Sequence, residues 1–344
     1  MIDATAKLEH YVDHLAPVWR EIPLERRGEF FVPPLLADHA RSLGVNPSVY
    51  EGDGVPWRSP GDAPILVAAT QDVRRARPAG RPIAYLGHGI GQSFIAPDGR
   101  RRKGYSGGPG FEDVALFLAV NERHAALWRA AYPSARVEVV GTPKLGGRSR
   151  EGGPRGTLVV ASFHWRAQIG VPEAGTAWDY WRPHLRKLRG RYRLALHCHP
   201  RIRDKVRLEA ANLGVEFIPT FDEVLDRAAV YLNDASSTLW EFAAFGGPVV
   251  VLNDPRFRRH VEHGLRFWDC ADVGPNADHP PDLIPAVDLA LEDPPRIAAR
   301  RREISAELYP YDDPATRAKA AILRAAPHAS PTGGTSRAAA PHPA

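Results

Sequence analysis

Short apolar and β-branched runs recur along the chain at Ala63–Ala69, Arg81–Leu86, Val137–Val140, Thr157–Ala161, Arg193–His197, Val215–Ile218, Val230–Leu232 and Pro248–Leu252. Stretches of helical length separate them. That alternation predicts parallel strands joined by crossover helices, an α/β fold. Val114, Leu116, Phe117, Val120 and Leu127 share one helical face and predict a helix over Glu112–Tyr132, with shorter helices over Asp222–Ala228 and Ser237–Phe245. Beyond Pro294 the pattern gives a charged helix over Arg296–Leu308, a turn over Tyr309–Pro314 and a last helix over Ala315–Ala326. Residues 327–344 are mostly Pro, Ala, Ser, Thr and Gly, and their low apolar content predicts a disordered tail.

A chain of 344 residues exceeds what one hydrophobic core usually supports, so two domains are expected. The glycines and prolines of Gly141–Arg155 break the periodicity and mark the boundary. They divide 1–145 from 156–310 and leave 311–326 as a final helix. With 44% hydrophobic and 25% charged residues, both parts have enough apolar material for a core. The net charge of +5 comes with more arginine than lysine, which suits acidic ligands such as phosphates and carboxylates without pointing to nucleic acid. Cys198 and Cys270 are the only cysteines, which excludes a disulfide framework or a C-x-x-C zinc or redox site and fits a reducing cytoplasm. Charged residues from Asp3 to Asp13 rule out a signal peptide at the N-terminus, and no 18-residue apolar run occurs, so any membrane contact is expected to be peripheral.

The segment Tyr231–Leu252 carries the most chemistry. An apolar strand ends at Asn233-Asp234, Ser236, Ser237 and Thr238 open a helix, and Gly246-Gly247-Pro248 stops it before another apolar strand. Free N–H groups and the positive dipole end at a helix start attract anions, and the serine hydroxyls add donors, so a diphosphate would fit there. Glu241, one turn beyond Ser237, is placed to accept hydrogen bonds from ribose hydroxyls, although helix capping by the serines and a surface Glu241 would also explain these residues.

Two histidine motifs follow strands. Ile83–Phe94 runs from an apolar strand into a Gly-rich turn holding His88, at the strand end where ligands of open α/β sheets bind. An imidazole there suits a general base. In His197-Cys198-His199-Pro200, strand alternation puts both histidines on one face, but no further ligand lies at metal spacing, so neither a metal nor a cofactor is expected. His197 reads as a packed strand-end residue. Arg201 or Arg203 would reinforce a phosphate contact at His199. The run Arg100-Arg101-Arg102-Lys103 after Asp98-Gly99 reads either as a solvated loop or as a grip on a polyanionic acceptor or anionic lipid.

Asp234-Ala-Ser-Ser-Thr-Leu-Trp-Glu-Phe-Ala with the following Gly-Gly-Pro-Val-Val resembles the serine-pair segment of the CDP-glycerol glycerophosphotransferases, the teichoic-acid polymerase and primase family. More distantly it is similar to the nucleotide-binding segment of UDP-sugar 2-epimerases and other GT-B transferases. Gly87-His88-Gly89 is similar to that family's His-Gly motif and His199-Pro200-Arg201 to its Leu-His-Pro motif. Val140-Gly141-Thr-Pro-Lys, Ala161-Ser-Phe-His-Trp165-Arg166 and Asp312–Ala318 resemble its interdomain, second-domain and final-helix segments, so the likeness runs in order from about residue 60 to 325. The departures are Ala235 where the family often has Tyr, His164 where it often has Thr, and Glu241 where it often has Asp.

The resemblance implies two Rossmann-like domains facing across a cleft, a GT-B-like fold. The first would supply the acceptor side and the base His88. The second would bind a CDP-activated donor through His199, Asp234, Ser236, Ser237, Thr238, Glu241 and Arg201, with Gly89, Gly141, Trp165 and Arg166 nearby. Arg101, Arg102 and Lys103 would meet the acceptor, a polyol phosphate, glycan or lipid-linked molecule, and the final helix would cross back to the first domain. The expected reaction is transfer of a glycerol-phosphate-type group to an acceptor hydroxyl with release of CMP, at the cytoplasmic face of the membrane or in the cytoplasm. A nucleotide-sugar glycosyltransferase, a UDP-sugar 2-epimerase-like enzyme, and a non-catalytic nucleotide- or polyanion-binding protein are the alternatives.

Overall fold

The computed structural model describes residues 1–52, 54–57, 62–90, 95–96, 98–147, 156–165, 176–234, 236–257 and 268–326. Arg166, Ala235, residues 91–94 of the His88 motif, residues 148–155 of the boundary segment and the expected tail at 327–344 lie outside the described residues.

Seven strands form the first sheet: β1 (Ile2–Thr5), β2 (Arg27–Val32), β3 (Pro47–Val49), β4 (Ile65–Val67), β5 (Ile83–Leu86), β6 (Val114–Ala119) and β7 (Arg136–Val139). Their order is β3-β2-β1-β4-β5-β6-β7 and every described pairing is parallel. Helices α1 (Glu9–Glu21), α2 (Ala37–Ser42), α3 (Thr70–Ala76) and α4 (Glu122–Ala131) lie in the crossovers. The second sheet has β8 (Leu158–Phe163), β9 (Leu194–Cys198), β10 (Glu216–Phe217), β11 (Ala228–Asn233), β12 (Val249–Leu252) and β13 (Asn276–Ala277) in the order β10-β9-β8-β11-β12-β13, again parallel. Its helices are α5 (Trp178–Trp181), α6 (Leu185–Arg191), α7 (Arg203–Leu213), α8 (Phe221–Arg227), α9 (Thr238–Ala244) and α10 (Leu283–Glu292). Two helices complete the described chain, α11 (Pro295–Leu308) and α12 (Pro314–Ala325).

Both sheets have the doubly wound order of dinucleotide-binding folds, so the protein is α/β with two Rossmann-like units, a GT-B-like arrangement. Each sheet reverses direction once, between β1 and β4 and between β8 and β11. Ligands of such sheets bind outside the carboxyl ends of the strands at these reversals.

Apolar packing covers both faces of each sheet. Val12, Leu15, Ala16, Val18 and Trp19 of α1 share a core with Ile2, Phe30, Leu66 and Leu118, and Ala318, Ala321 and Ile322 of α12 belong to that same core. Ile90, Val120 and Leu145 from the first half pack with Tyr231, Leu239, Trp240 and Leu308, so one apolar cluster joins the halves.

The helix expected over Glu112–Tyr132 is corrected: its first part is β6 and only Glu122–Ala131 is helical. Val114, Leu116, Phe117 and Val120 satisfy a helical period, but the unbroken run Val-Ala-Leu-Phe-Leu-Ala is what a strand buried on both faces requires. The helix restarts at Asn121, whose side chain accepts the His124 N–H at 3.1 Å. Also absent from the sequence pattern were β1 to β3. In β1 the polar Asp3 interrupts the apolar run, yet it is fully buried against Arg81 and accepts the Glu29 N–H at 2.8 Å. Arg81 also donates to the carbonyls of Ala63 at 2.9 Å and Met1 at 2.7 Å, which ties together the starts of three central strands.

Candidate functional site

A cavity of about 1140 Å³ lies between the two sheets and is lined from both halves. Its walls follow from topology. β1 leads to His10, β4 to Ala69-Thr70, and β5 to His88 in the first half. In the second, β8 leads to His164 and Trp165, β9 to His199, and β11 to Ser236. Each of these residues follows the carboxyl end of a strand at or beside a reversal point.

His88 is held at Nδ1 by the carbonyl of Ala68, 2.5 Å away. A carbonyl only accepts, so Nδ1 carries the proton and Nε2 keeps its lone pair, the tautomer of a base. Gly89, at φ 121°, supplies the backbone turn that a side chain would strain, but does not itself line the cavity. His199 has the opposite tautomer. Its Nδ1 accepts the Arg201 N–H at 3.2 Å, so the proton sits on Nε2 and the ring is a donor.

Burial is the main cause that lowers the pKa of both rings, to about 4 for His88 and about 3 for His199, with the Arg201 charge adding to the effect at His199. His10 sits between them, its ring centre 5.7 Å from His88 and 5.5 Å from His199, and burial drives its pKa well below the ordinary value. Nothing in the sequence pattern flagged His10, because β1 before it was not expected and the Ala6–Leu8 loop between them has no glycine.

On the opposite wall, Ser237 donates its hydroxyl proton to Glu241 Oε1 at 2.9 Å, and Lys144 donates to Glu241 Oε2 at 2.7 Å. Glu241 is therefore a buried, paired carboxylate and not a surface residue. Burial alone would pull the Lys144 pKa down, but Glu241 reverses this and holds it above its ordinary value. With its proton committed, Ser237 turns lone pairs to the cavity, so Ser237 and Glu241 together form an accepting pair suited to hydroxyls. The hydroxyl expected to donate to phosphate is thus bonded to Glu241 in this structure. The Ser236 N–H is taken by Asn233 Oδ1 at 2.8 Å and its Oγ accepts the Thr238 N–H at 3.4 Å. Thr238 lines the cavity and pairs with the Tyr231 hydroxyl at 2.9 Å. The helix itself is shorter than expected, Thr238–Ala244, and its first two N–H groups, of Thr238 and Leu239, are already taken by the Ser236 hydroxyl and carbonyl oxygens.

Other expected residues are placed as follows. Arg201 lines the cavity with its guanidinium 4.1 Å over the Trp165 ring, and Trp165 lines it too. Asp234 does not face the cavity. Its carboxylate takes the N–H groups of His164 and Ala177 at 2.8 Å each and the Thr176 hydroxyl at 2.9 Å, so it clamps the loops that follow β8. Gly141, at φ 89°, lies where a Cβ would come 3.0 Å from Pro314, which makes it a packing position under α12 and not a donor contact. Of the basic run, Lys103 lines the cavity whereas Arg101 and Arg102 do not. His197 is packed, its Nδ1 2.8 Å from Ser162 Oγ, and burial lowers its pKa to about 3.

No protein-family model matches the chain, and no curated protein sequence matches it. Solved structures do match along nearly its whole length. The S. aureus MnaA–UDP complex superimposes with a TM-score of 0.59 at 15% identity, covering 91% of this chain and 93% of that one. UDP-GlcNAc 2-epimerase from Neisseria meningitidis bound to UDP-GlcNAc gives 0.55 at 12%, covering 94% and 98%. The wall teichoic acid polymerase TagF soaked with CDPG gives 0.55 at 13%, covering 94% and 86%. The chain shares the two-domain fold of these proteins. Among the described residues no helix is long and apolar enough to cross a membrane.

Proposed function

We propose that the protein is a transferase that moves a glycerol-phosphate-type group from a CDP-activated donor to an acceptor hydroxyl and releases CMP. The observation that carries this reading is the pair of opposite tautomers, a base at His88 and a donor at His199, in one cavity with an accepting Ser237–Glu241 pair. A passive binding protein has no use for a base held in that form.

The ribose hydroxyls of the donor would meet Ser237 and Glu241. Its diphosphate would lie between Ser236, His199 and Arg201, whose donors and charge offset the charge on the phosphate oxygens. His88 Nε2 takes the acceptor hydroxyl proton as that oxygen attacks the β-phosphorus. The bond from the β-phosphorus to the bridging oxygen breaks, and CMP departs with the electron pair. By itself His88 is a weak base, but a diphosphate nearby favours its protonated form and raises its pKa toward neutrality.

The test is release of CMP from CDP-glycerol with an acceptor present. His88→Ala is expected to lower the rate by roughly 10²–10⁴-fold, the usual worth of a positioned base, and an unchanged rate removes the assignment. A second reading, a nucleotide-sugar transferase or 2-epimerase-like enzyme, is supported by the shared fold and by an accepting pair that suits any ribose. Release of UDP from a UDP-sugar in place of CMP would select it.

A further inference from the structure

Helix α1 has two faces. Val12, Leu15, Ala16, Val18 and Trp19 enter the core, while His10, Asp13, His14 and Pro17, spaced i, i+3, i+4 and i+7, form the face that lines the cavity. No core packing calls for two histidines and an aspartate on that face. His14 is 3% exposed, its ring centre lies 6.4 Å from His88, and its Nδ1 is buried without a hydrogen-bond partner among the described residues. A buried polar atom left unpaired costs roughly 1–3 kcal/mol, a cost that the packing of α1 does not explain. Asp13 is 30% exposed and gives one oxygen to His39, whose Nε2 lies 2.7 Å away.

We propose that this face of α1 is the acceptor subsite and takes a hydroxyl-rich end, a polyol or sugar, with its reacting hydroxyl directed by His10 toward His88. The reading rests on the transferase function above for the reaction, but the binding itself does not depend on it. Two imidazoles and a carboxylate on one face suit hydroxyls. Burial and the neighbouring positive groups keep His10 and His14 neutral, so they donate or accept single hydrogen bonds without supplying charge. Asp13 repels an anion and accepts from a hydroxyl. His10, between base and donor histidines, is the group placed to orient a hydroxyl from either side.

The experiment follows the ring C–H NMR signals of His10 and His14, assigned from His10→Phe and His14→Phe, in the full-length protein. Glycerol, ribitol and methyl β-glucoside are titrated with and without saturating CDP, and inorganic phosphate serves as the anion probe. Saturable shifts of both signals with at least one polyol or glucoside support the proposal. No shift with any of the three, or a shift with phosphate alone, overturns it. In turnover with CDP-glycerol and ribitol, His10→Phe is expected to raise the acceptor KM at least tenfold while CDP affinity stays within twofold, with His10→Asn falling between. If His10→Phe leaves the acceptor kcat/KM within twofold, or weakens CDP as much as the acceptor, the subsite is refuted. If either Phe variant fails to fold, the Asn variant of the same residue provides both the assignment and the kinetic comparison on the same criteria. Failure of the wild type to bind CDP or turn over CDP-glycerol defeats the transferase reading alone, and the polyol titration still decides the subsite.

Discussion

The Lys144–Glu241 pair joins the segment between the two sheets to α9 in the second, and its removal has a calculable effect. Lys144 is 16% exposed and Glu241 1%, with 2.7 Å between Nζ and Oε2. Lys144→Met keeps the length of the side chain but leaves Glu241 as a buried charge whose remaining partner is the neutral Ser237 hydroxyl. Breaking a buried pair from one side typically costs about 3–5 kcal/mol, because the surviving charge is left uncompensated. Against a total stability of about 5–15 kcal/mol this is a large fraction. At about 2–4 °C per kcal/mol for a domain of this size, the melting midpoint falls by roughly 6–20 °C. Adding Glu241→Gln removes the stranded charge and keeps an oxygen to accept from Ser237, so the double variant recovers much of the loss. The assay is urea unfolding of wild type, both single variants and the double variant at pH 7. If Lys144→Met costs less than about 1 kcal/mol, or if the two effects simply add, the pair is no stronger than an exposed one and the argument from burial fails.

Two further outcomes follow from buried polar groups. Burial lowers the pKa of His124 to about 4 and of His197 to about 3, well below the unfolded value near 6.5. Between those limits the unfolded chain binds more protons, so stability is full above about pH 6.5 and falls on acidification by up to about 1.4 kcal/mol per pH unit for each histidine. Urea midpoints from pH 7.5 to 4.5 measure the slope, and a flat profile would contradict neutral, buried rings. Separately, a Cβ at Gly28 would fall 1.9 Å from Asp3 Oδ1. Gly28→Ala is therefore expected to lose at least about 2 kcal/mol in urea unfolding, whereas the same change at Gly190, where a Cβ meets nothing, is expected to be neutral or stabilising.

The eight apolar runs from Ala63 to Leu252 each overlap a strand, and the α/β class was legible because parallel strands buried on both faces read as nearly unbroken apolar runs. The same property hid β6. Six apolar residues satisfy a helical and a buried-strand pattern equally, and only the pairing of Leu116 with Ala84 and Arg136 decides between them. β1 stayed hidden for the opposite reason. A buried aspartate is tolerable only beside its arginine, and that partner lies at residue 81, far outside any local window. Pairings of this kind are set by the fold, so no window over the sequence recovers them.

The candidate site divides along the same line. His88, His199 and Ser236 follow strands and sit next to glycine, proline or small residues, so their position in the sequence already says where the strand ends. Glu241 could be placed on a helix, but its state depends on Lys144, 97 residues away, and on whether that lysine arrives from the segment between the sheets. His10 and His14 are harder still. On a helix, a histidine with charged neighbours such as Glu9 and Asp13 reads as a surface residue. It becomes a candidate ligand only once the second sheet closes the space in front of it and places His199 5.5 Å from His10. What the local sequence can specify is the wall that a strand end builds. A residue whose role depends on the opposite wall acquires that role only from the way the two sheets face each other.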